Sequence, residues 1–342
     1  HTGNLPWFGR QYVVRHSFPN LQWGPTARQY SNRFPGKAKQ KKGPTMPTRI
    51  LRRDFLKTSS LLVAGTALGA HAWAAEKPAC SSPAAEAMGW RVGVAQYTFR
   101  RFSFYEALGM AAKLGIRNIE PAFFLALDKT RPELKVNEAL GPEVRKELKQ
   151  KLADNGITIS AFYSNLNTDA DQAKRIFDFC KEMDIASIVA EPVAEAFDMI
   201  EKLCDEYQID LAVHNHPKSP TSKYWQPENV LAVCKGRGPR IGACCDTGHW
   251  VRSGLDPVEC LKKMEGRIRG FHLKDVQEKG VVEARDVPLG EGKADYTAVL
   301  TELKRQGYRG VMTIEYEHDS PELMDDVAKC VAFVEKMAKQ LG

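Results

Sequence analysis

Apolar runs recur along the chain from Trp90 to the C-terminus, and each is followed by a longer stretch with apolar residues at three- and four-residue spacing. The short runs, rich in Val, Ile and aromatic residues, predict buried strands, and the longer stretches predict amphipathic helices. The predicted strands cover residues 91–99, 116–123, 157–164, 186–192, 210–216, 241–247, 268–275 and 310–317.

The predicted helices lie between these strands, and a last one closes the chain. Many of them end in Lys and Gly or in Asn-Gly, a helix stop that precedes the next strand. Eight strand–helix units in about 250 residues match a single-domain (β/α)8 TIM barrel of the α/β class. An open doubly wound sheet is the competing architecture, but no glycine-rich phosphate loop follows the first strand.

Charge is distributed unevenly in this chain of 342 residues with a formal net charge of +7. Residues 1–45 contain eight Lys or Arg and no acid, which leaves 41 basic and 42 acidic residues in the remainder. A basic leader therefore accounts for the excess, and the body has no basic bias that would favour a nucleic-acid partner. We expect residues 1–45 to be disordered, and Met46 is a candidate for the true start.

Residues 46–74 have the organisation of a signal peptide. A basic segment precedes an apolar stretch of roughly 14 residues, which is shorter than the about 20 that span a bilayer. The segment Arg52 to Lys57, RRDFLK, resembles a twin-arginine export signal, with Leu51 where Ser or Thr is common. The sequence predicts cleavage after Ala74, a linker over residues 75–89, and a periplasmic protein without a stable membrane anchor. An uncleaved membrane-anchoring helix is the alternative.

Eight cysteines occur without a CxxC pair or metal-finger spacing. Most of them fall within apolar periodic segments. We therefore predict buried thiols rather than a disulfide framework.

Polar side chains gather where the predicted strands end. Buried charges must be paired, bind a metal or act in catalysis, because an unpaired buried charge is costly. If Glu191, Asp246, His272 and Glu315 all point inward, three carboxylates and one imidazole meet near the barrel axis. This set predicts one divalent metal ion, with Mn first and Mg, Co or Zn as alternatives. Each residue alone also has a structural interpretation, such as a helix cap or a hydrogen-bonded core residue.

From about Trp90 to the C-terminus the chain resembles the sugar phosphate isomerase and epimerase superfamily, the xylose isomerase-like TIM barrels. The motifs that carry the resemblance are Glu191-Pro192, His214-Asn215-His216, Asp246-Thr247-Gly248-His249, His272-Leu273-Lys274-Asp275, the loop 288–292 and Thr313-Ile314-Glu315. The resemblance implies that Glu191, Asp246, His272 and Glu315 hold the metal. It also implies that the two glutamates form an acid/base pair.

The chemistry of that superfamily agrees with these residue types. Isomerising a keto sugar removes a proton next to a carbonyl, and a divalent ion stabilises the resulting enediolate. Glu191 and Glu315 are the predicted catalytic pair, and the predicted contacts to a carbohydrate substrate are His214, His216, His249 and Lys274. Two of these residues have an equally good structural interpretation. His249 could cap a helix or contact Asp246, and Lys274 could form an ion pair with Asp275 or Glu315.

Several functions therefore remain open. The leading prediction is a metal-dependent isomerase or epimerase of a keto sugar or related polyol. No arginine cluster marks a phosphate site, which favours a substrate without phosphate. A dehydratase or lyase could use the same residues on a keto-polyol or keto-glycoside. An abasic-site endonuclease and a non-catalytic periplasmic sugar-binding protein are further alternatives, and a homo-oligomer is compatible with the sequence.

Overall fold

The computed structural model describes residues 81–342. The predicted leader, the predicted signal segment and the first part of the predicted linker lie outside the described residues. The end of the linker contains a short helix, α1 (Pro83–Ala87), and the barrel begins with a strand at Trp90. The Glu335 carboxylate accepts hydrogen bonds from the amides of Ala84 and Ala85, which fixes this helix to the C-terminal helix.

The central sheet has nine parallel segments, ordered β5-β2-β1-β13-β10-β9-β8-β7-β6. They are β1 (Trp90–Ala95), β2 (Asn118–Glu120), β5 (Thr158–Ile159), β6 (Phe162–Tyr163), β7 (Ser187–Ala190), β8 (Asp210–His214), β9 (Ile241–Asp246), β10 (Ile268–Leu273) and β13 (Gly310–Ile314). The first and last segments of this order, β5 and β6, are separated by only two residues in the chain. They belong to one predicted strand, so the ring is a nearly closed eight-stranded barrel and the predicted fold is confirmed.

Helices alternate with these strands as predicted. They are α2 (Phe104–Lys113), α3 (Pro142–Asn155), α4 (Ala170–Glu182), α5 (Phe197–Tyr207), α6 (Pro227–Cys234), α7 (Thr247–Arg252), α8 (Pro257–Lys263), α9 (Tyr296–Arg305) and α10 (Leu323–Leu341). Local signals set their ends. Ser103 and Glu106 form a reciprocal capping box at the start of α2, and Gly156 takes a left-handed conformation, φ 64°, at the end of α3.

Two short strand pairs and one short helix were not predicted. The antiparallel pair β3 (Ala126–Asp128) and β4 (Arg131–Lys135) follows β2, and β11 (Asp275–Val276) pairs with β12 (Asp286–Val287) after β10. Helix α7 begins directly after β9. Each element is too short to show a period in the sequence, because the hydrophobic pattern needs several turns or alternations to emerge.

Small side chains fill part of the barrel interior, where Ala161, Val189, Ala212 and Cys244 form a cluster. The seven cysteines within residues 81–342 are all free and buried, which confirms the prediction of buried thiols for them. Within the same residues, no helix is both long and apolar enough to cross a membrane.

Candidate metal and active site

The polar residues identified in the sequence converge at the carboxyl ends of the strands. His214 and Asp246 are the last residues of β8 and β9, and His272 lies near the end of β10. Glu191 and Glu315 directly follow β7 and β13. The barrel therefore brings together residues that are up to 124 positions apart in the sequence.

Four buried side chains of ligand type form one group, namely His214, Asp246, His272 and Glu315. One possible ligand atom from each lies within 4.8 Å of the others. His272 Nδ1 lies 3.2 Å from Glu315 Oε2 and 3.8 Å from Asp246 Oδ2. His214 Nε2 also lies 3.8 Å from Asp246 Oδ2. Three of the four predicted metal ligands thus meet, together with a histidine predicted to contact substrate.

Glu191, the fourth predicted ligand, belongs to an adjacent group with His214 and His216. Its Oε1 atom lies 2.7 Å from His216 Nδ1, 3.8 Å from His214 Nδ1 and 2.9 Å from the hydroxyl of Tyr163. Burial alone would raise the pKa of Glu191, but the neighbouring His216 and His214 lower it below its usual value. His214 therefore stands between the two groups, and Glu191 is held as a carboxylate by its neighbours.

The Lys274 ammonium lies among the carboxylates at the barrel axis. Its Nζ atom is 2.9 Å from Glu315 Oε2, 3.2 Å from Asp246 Oδ2 and 3.1 Å from Glu317 Oε2. Burial opposes the charged form, but the carboxylates of Asp246, Glu315 and Glu317 raise the pKa of Lys274. The lysine is thus a fixed cation, and its ion pair with Glu315 agrees with one of the two interpretations drawn from the sequence.

His249 lies between two cationic side chains. Its Nε2 atom is 3.2 Å from Lys274 Nζ and its Nδ1 atom is 3.2 Å from an Arg252 guanidinium nitrogen. Burial lowers the pKa of His249, and the charges of Lys274 and Arg252 lower it further, well below its usual value. The backbone amide of His249 donates to Asp246 Oδ1 at 2.8 Å, so Asp246 also caps α7. His249 is therefore a neutral imidazole next to a candidate metal ligand.

Several buried polar atoms of this group have no hydrogen bond. Both ring nitrogens of His214 lack a hydrogen-bond partner among the described residues, and so does Asp246 Oδ2, which has only ionic neighbours such as the Lys274 ammonium at 3.2 Å. Buried polar groups are nearly always satisfied, so these atoms need a partner. A divalent ion at about 2.0–2.6 Å from each ligand requires ligand atoms within about 5 Å of one another, and the four-residue group meets that limit.

Sequence reasoning missed several charged residues of the site. Glu120, at the end of β2, contacts His272 Nε2 at 3.0 Å. Arg252 donates to Asp286 Oδ1 and Glu317 Oε2 at 2.5 and 2.6 Å. Glu120 precedes a proline at a strand end, as Glu191 does, so this signal was present in the sequence. For Arg252 and Asp286, which lie outside the predicted strands, we find no comparable signal.

Two glycine-containing segments shape the mouth of the barrel. A Cβ atom at Gly248 would lie 2.4 Å from Lys274 Cγ, so only glycine lets the lysine side chain pass. The Asp275 carboxylate accepts hydrogen bonds of 2.9–3.0 Å from the amides of Val276, Gly290, Gly292 and Ala294. This carboxylate therefore fixes the loop 276–294 against the end of β10.

Two curated relatives match part of the chain. The rhizopine catabolism protein MocC of Rhizobium meliloti is 29% identical over 136 residues, which cover 36% of this chain and 41% of that protein. An inosose dehydratase of Mesomycoplasma hyopneumoniae is 26% identical over 144 residues, covering 38% of this chain and 47% of the relative. The match thus spans less than half the length of these relatives.

Solved structures match over most of the described residues. An uncharacterised protein from Parabacteroides distasonis has a TM-score of 0.59 at 31% identity, covering 72% of this chain and 99% of the other. A xylose isomerase-like TIM barrel protein from Mycobacterium smegmatis, solved in complex with magnesium, has a TM-score of 0.60 at 16% identity, covering 74% and 98%. The second match concerns the fold alone.

The sequence model of one family covers most of the barrel. It is described as the xylose isomerase-like TIM barrel and matches residues 108–336. This range includes every candidate ligand and every predicted substrate contact. The family match and the observed barrel fold show that the chain belongs to the xylose isomerase-like TIM barrel family.

Proposed function

We propose that the protein is a metal-dependent isomerase or epimerase of a keto sugar or related polyol. One observation carries the proposal. Four buried side chains of ligand type converge at the carboxyl ends of the barrel strands, and both ring nitrogens of one of them, His214, have no hydrogen-bond partner among the described residues. Membership of the xylose isomerase-like family supports the same chemistry.

The residues present fit a divalent metal ion held by His214, Asp246, His272 and Glu315. Such an ion supplies a Lewis acid for a carbonyl oxygen. Our sequence-based ligand set has Glu191 in place of His214, and the distances favour His214. Two imidazoles and two carboxylates suit Mn, Co or Zn, whereas a set richer in carboxylates would favour Mg.

Glu191 and Glu315 are the proposed acid/base pair. The Glu191 side chain is more exposed than any side chain of the four-residue group. Its carboxylate is oriented by contacts with Tyr163 and His216. Glu315 is hydrogen bonded to Lys274. We propose that Glu191 removes the proton next to the carbonyl and later releases it to water. Glu315 takes up a proton from water and delivers it to the other face of the same carbon, while His216, His249 and Lys274 bind substrate oxygens.

A dehydratase acting on a keto-polyol is the second candidate. It requires the same proton abstraction, followed by loss of a β-hydroxyl as water. The contact between Glu191 and His216 favours it, because this pair could protonate the leaving hydroxyl. The name of the inosose dehydratase relative also supports it.

Proton exchange tests the shared step. In D2O, the metal-loaded protein is expected to incorporate deuterium into members of a keto-sugar and keto-inositol panel. The Glu315→Gln variant should lose this exchange by about 100- to 10,000-fold, because a positioned acid/base group contributes that much. Glu283→Gln, at an exposed position, is the matched control.

The outcomes separate the candidates. Exchange with a rearranged sugar as product supports an isomerase or epimerase, whereas an unsaturated product absorbing in the near ultraviolet supports a dehydratase. Full exchange in Glu315→Gln would contradict the assigned pair. Binding without metal and without turnover across the panel would favour a sugar-binding protein instead.

Export through residues 46–74 is a separate proposal, because it concerns a segment outside the described residues. Fractionation of cells that express the full chain should place the protein in the periplasm. Substituting Lys for both Arg52 and Arg53 should retain it in the cytoplasm.

A further inference from the structure

Glu120 contacts the edge of the His272 ring that carries Nε2, opposite the edge that faces the other candidate ligands. Its two carboxylate oxygens lie 3.0 and 3.2 Å from His272 Nε2, and the side chain is only 3% exposed. Thr313 Oγ1 donates to the same carboxylate at 3.3 Å. These contacts join three strands, β2, β10 and β13, inside the barrel.

The position of this carboxylate determines what the other ring nitrogen can do. A histidine that binds a metal through Nδ1 is neutral and carries its one N–H on Nε2, where the Glu120 carboxylate can accept it. The lone pair of Nδ1 is then directed towards Glu315 Oε2 at 3.2 Å and Asp246 Oδ2 at 3.8 Å. These three atoms lie beside the Lys274 ammonium, which contacts both carboxylate oxygens, and a divalent ion bound between them would stabilise the arrangement further.

A small polar cavity explains how a carboxylate can lie so deep in the barrel. The cavity, about 210 Å³ in volume, is lined by Glu120 and Thr313 and by residues near the opposite, amino-terminal ends of the strands. It is also lined by Ser160 and Ser187, whose buried hydroxyls have no partner among the described residues. A polar cavity of this size is large enough for water, which can hydrate the outer side of the Glu120 carboxylate.

We propose that Glu120 is a positioning residue that fixes the tautomer and ring orientation of His272 for metal binding. This inference rests on the proposed metal site. Glu120 touches neither the ion nor the substrate, and it acts only through the imidazole. Groups that orient a ligating histidine in this way typically change metal affinity by about 10- to 100-fold when they are removed.

Co²⁺ binding to the purified full chain tests the proposal, because the visible spectrum of Co²⁺ reports on its ligands. The expected result for Glu120→Ala is an about 10- to 100-fold weaker Co²⁺ affinity and an altered visible spectrum. Glu120→Gln, whose amide oxygen still accepts from Nε2–H, should recover most of the affinity. Glu133→Ala, at an exposed position on β4, is the matched control.

Thermal unfolding of the metal-free proteins separates positioning from a purely structural role. If Glu120→Ala lowers the metal-free Tm but the folded variant binds Co²⁺ with parental affinity and spectrum, the proposal is overturned. If Glu120→Ala does not fold, Thr313→Val provides the readout, and it should weaken Co²⁺ binding by less than Glu120→Ala would. Parental affinity and an unchanged visible spectrum in Thr313→Val would then overturn the proposal.

The same Co²⁺ titration distinguishes failure of the proposed metal-dependent function from failure of the role proposed for Glu120. Absence of Co²⁺ binding by the parental protein would overturn the proposed metal-dependent function and this inference with it. Parental binding that is unaffected by changes at Glu120 would overturn the inference alone.

Discussion

The mouth of the barrel and the outer helical layer use the same residue types in opposite ways. On the outside, Lys263 and Glu228 form an ion pair of 2.6 Å while each side chain is about half exposed, 52% and 51%. At the mouth, Lys274 contacts three carboxylates and is fully buried. Water screens the outer pair, whereas the inner charges depend on each other.

The two regions therefore differ in how much stability is lost when one charge is removed. The outer pair can be removed at small cost because both partners remain hydrated. The inner charges were desolvated on folding, so each is stable only while its partners stay in place. The barrel thus carries a concentrated charge cluster that a surface ion pair could not reproduce.

Removing the buried lysine should have the largest effect on stability. Lys274→Met leaves the carboxylates of Asp246, Glu315 and Glu317 without their shared cation, and breaking a buried pair costs about 3–5 kcal/mol. Urea unfolding of the metal-free variant measures this loss. Lys263→Met is the matched control, and an equal loss in the two variants would contradict the comparison.

Crowding the path of the same lysine should have an intermediate effect. In Gly248→Ala the new Cβ atom would meet Lys274 Cγ at 2.4 Å, and overpacking of this kind costs about 1–3 kcal/mol. We expect lower stability together with weaker substrate binding, measured by urea unfolding and by KM. Gly109→Ala, where a Cβ atom would meet nothing within 4 Å, should show neither change.

A carboxylate on the outer layer should give a small, pH-dependent effect. Hydrogen bonds from Arg305 lower the pKa of Glu302 from 4.5 to about 2. Its stabilisation is therefore present above pH about 4.5 and is lost as pH falls through about 2. In Glu302→Gln this dependence should disappear, with a change below about 1 kcal/mol at neutral pH because Arg305 is half exposed. A pH series of thermal unfolding curves measures it.

The smallest effect is expected for the outer ion pair itself. Lys263→Met should change the free energy of unfolding by about 0.2–1 kcal/mol and leave deuterium exchange into substrate unchanged. A larger change would show that screening by water does not distinguish the two regions as we describe.

The fold was predictable because the periodic segments are long and regular. Each of the eight predicted strands corresponds to a segment of the barrel, including the one that breaks into β5 and β6. The short elements α7, β11 and β12 were missed because hydrogen bonds from backbone amides to carboxylates such as those of Asp246 and Asp275, rather than a hydrophobic pattern, fix their positions.

The site was predictable as a location but only partly as a set of contacts. Polar residues at strand ends identified Asp246, His272 and Glu315. We predicted Glu191 as the fourth member of their group, whereas the structure places His214 there, because the choice depends on which way neighbouring strand ends turn towards the axis. The residue assignment therefore stays a prediction that metal binding by variants at both positions can test.

The loop held by Asp275 has a consequence for how tightly a substrate can bind. One carboxylate holds the amides of residues 276, 290, 292 and 294, so the backbone at both ends of this loop is already fixed in the free protein. A loop that becomes ordered only on binding would subtract that entropy from the affinity. In this protein the loop ends are ordered on folding, so a small polar ligand that contacted them would bind without that loss of entropy.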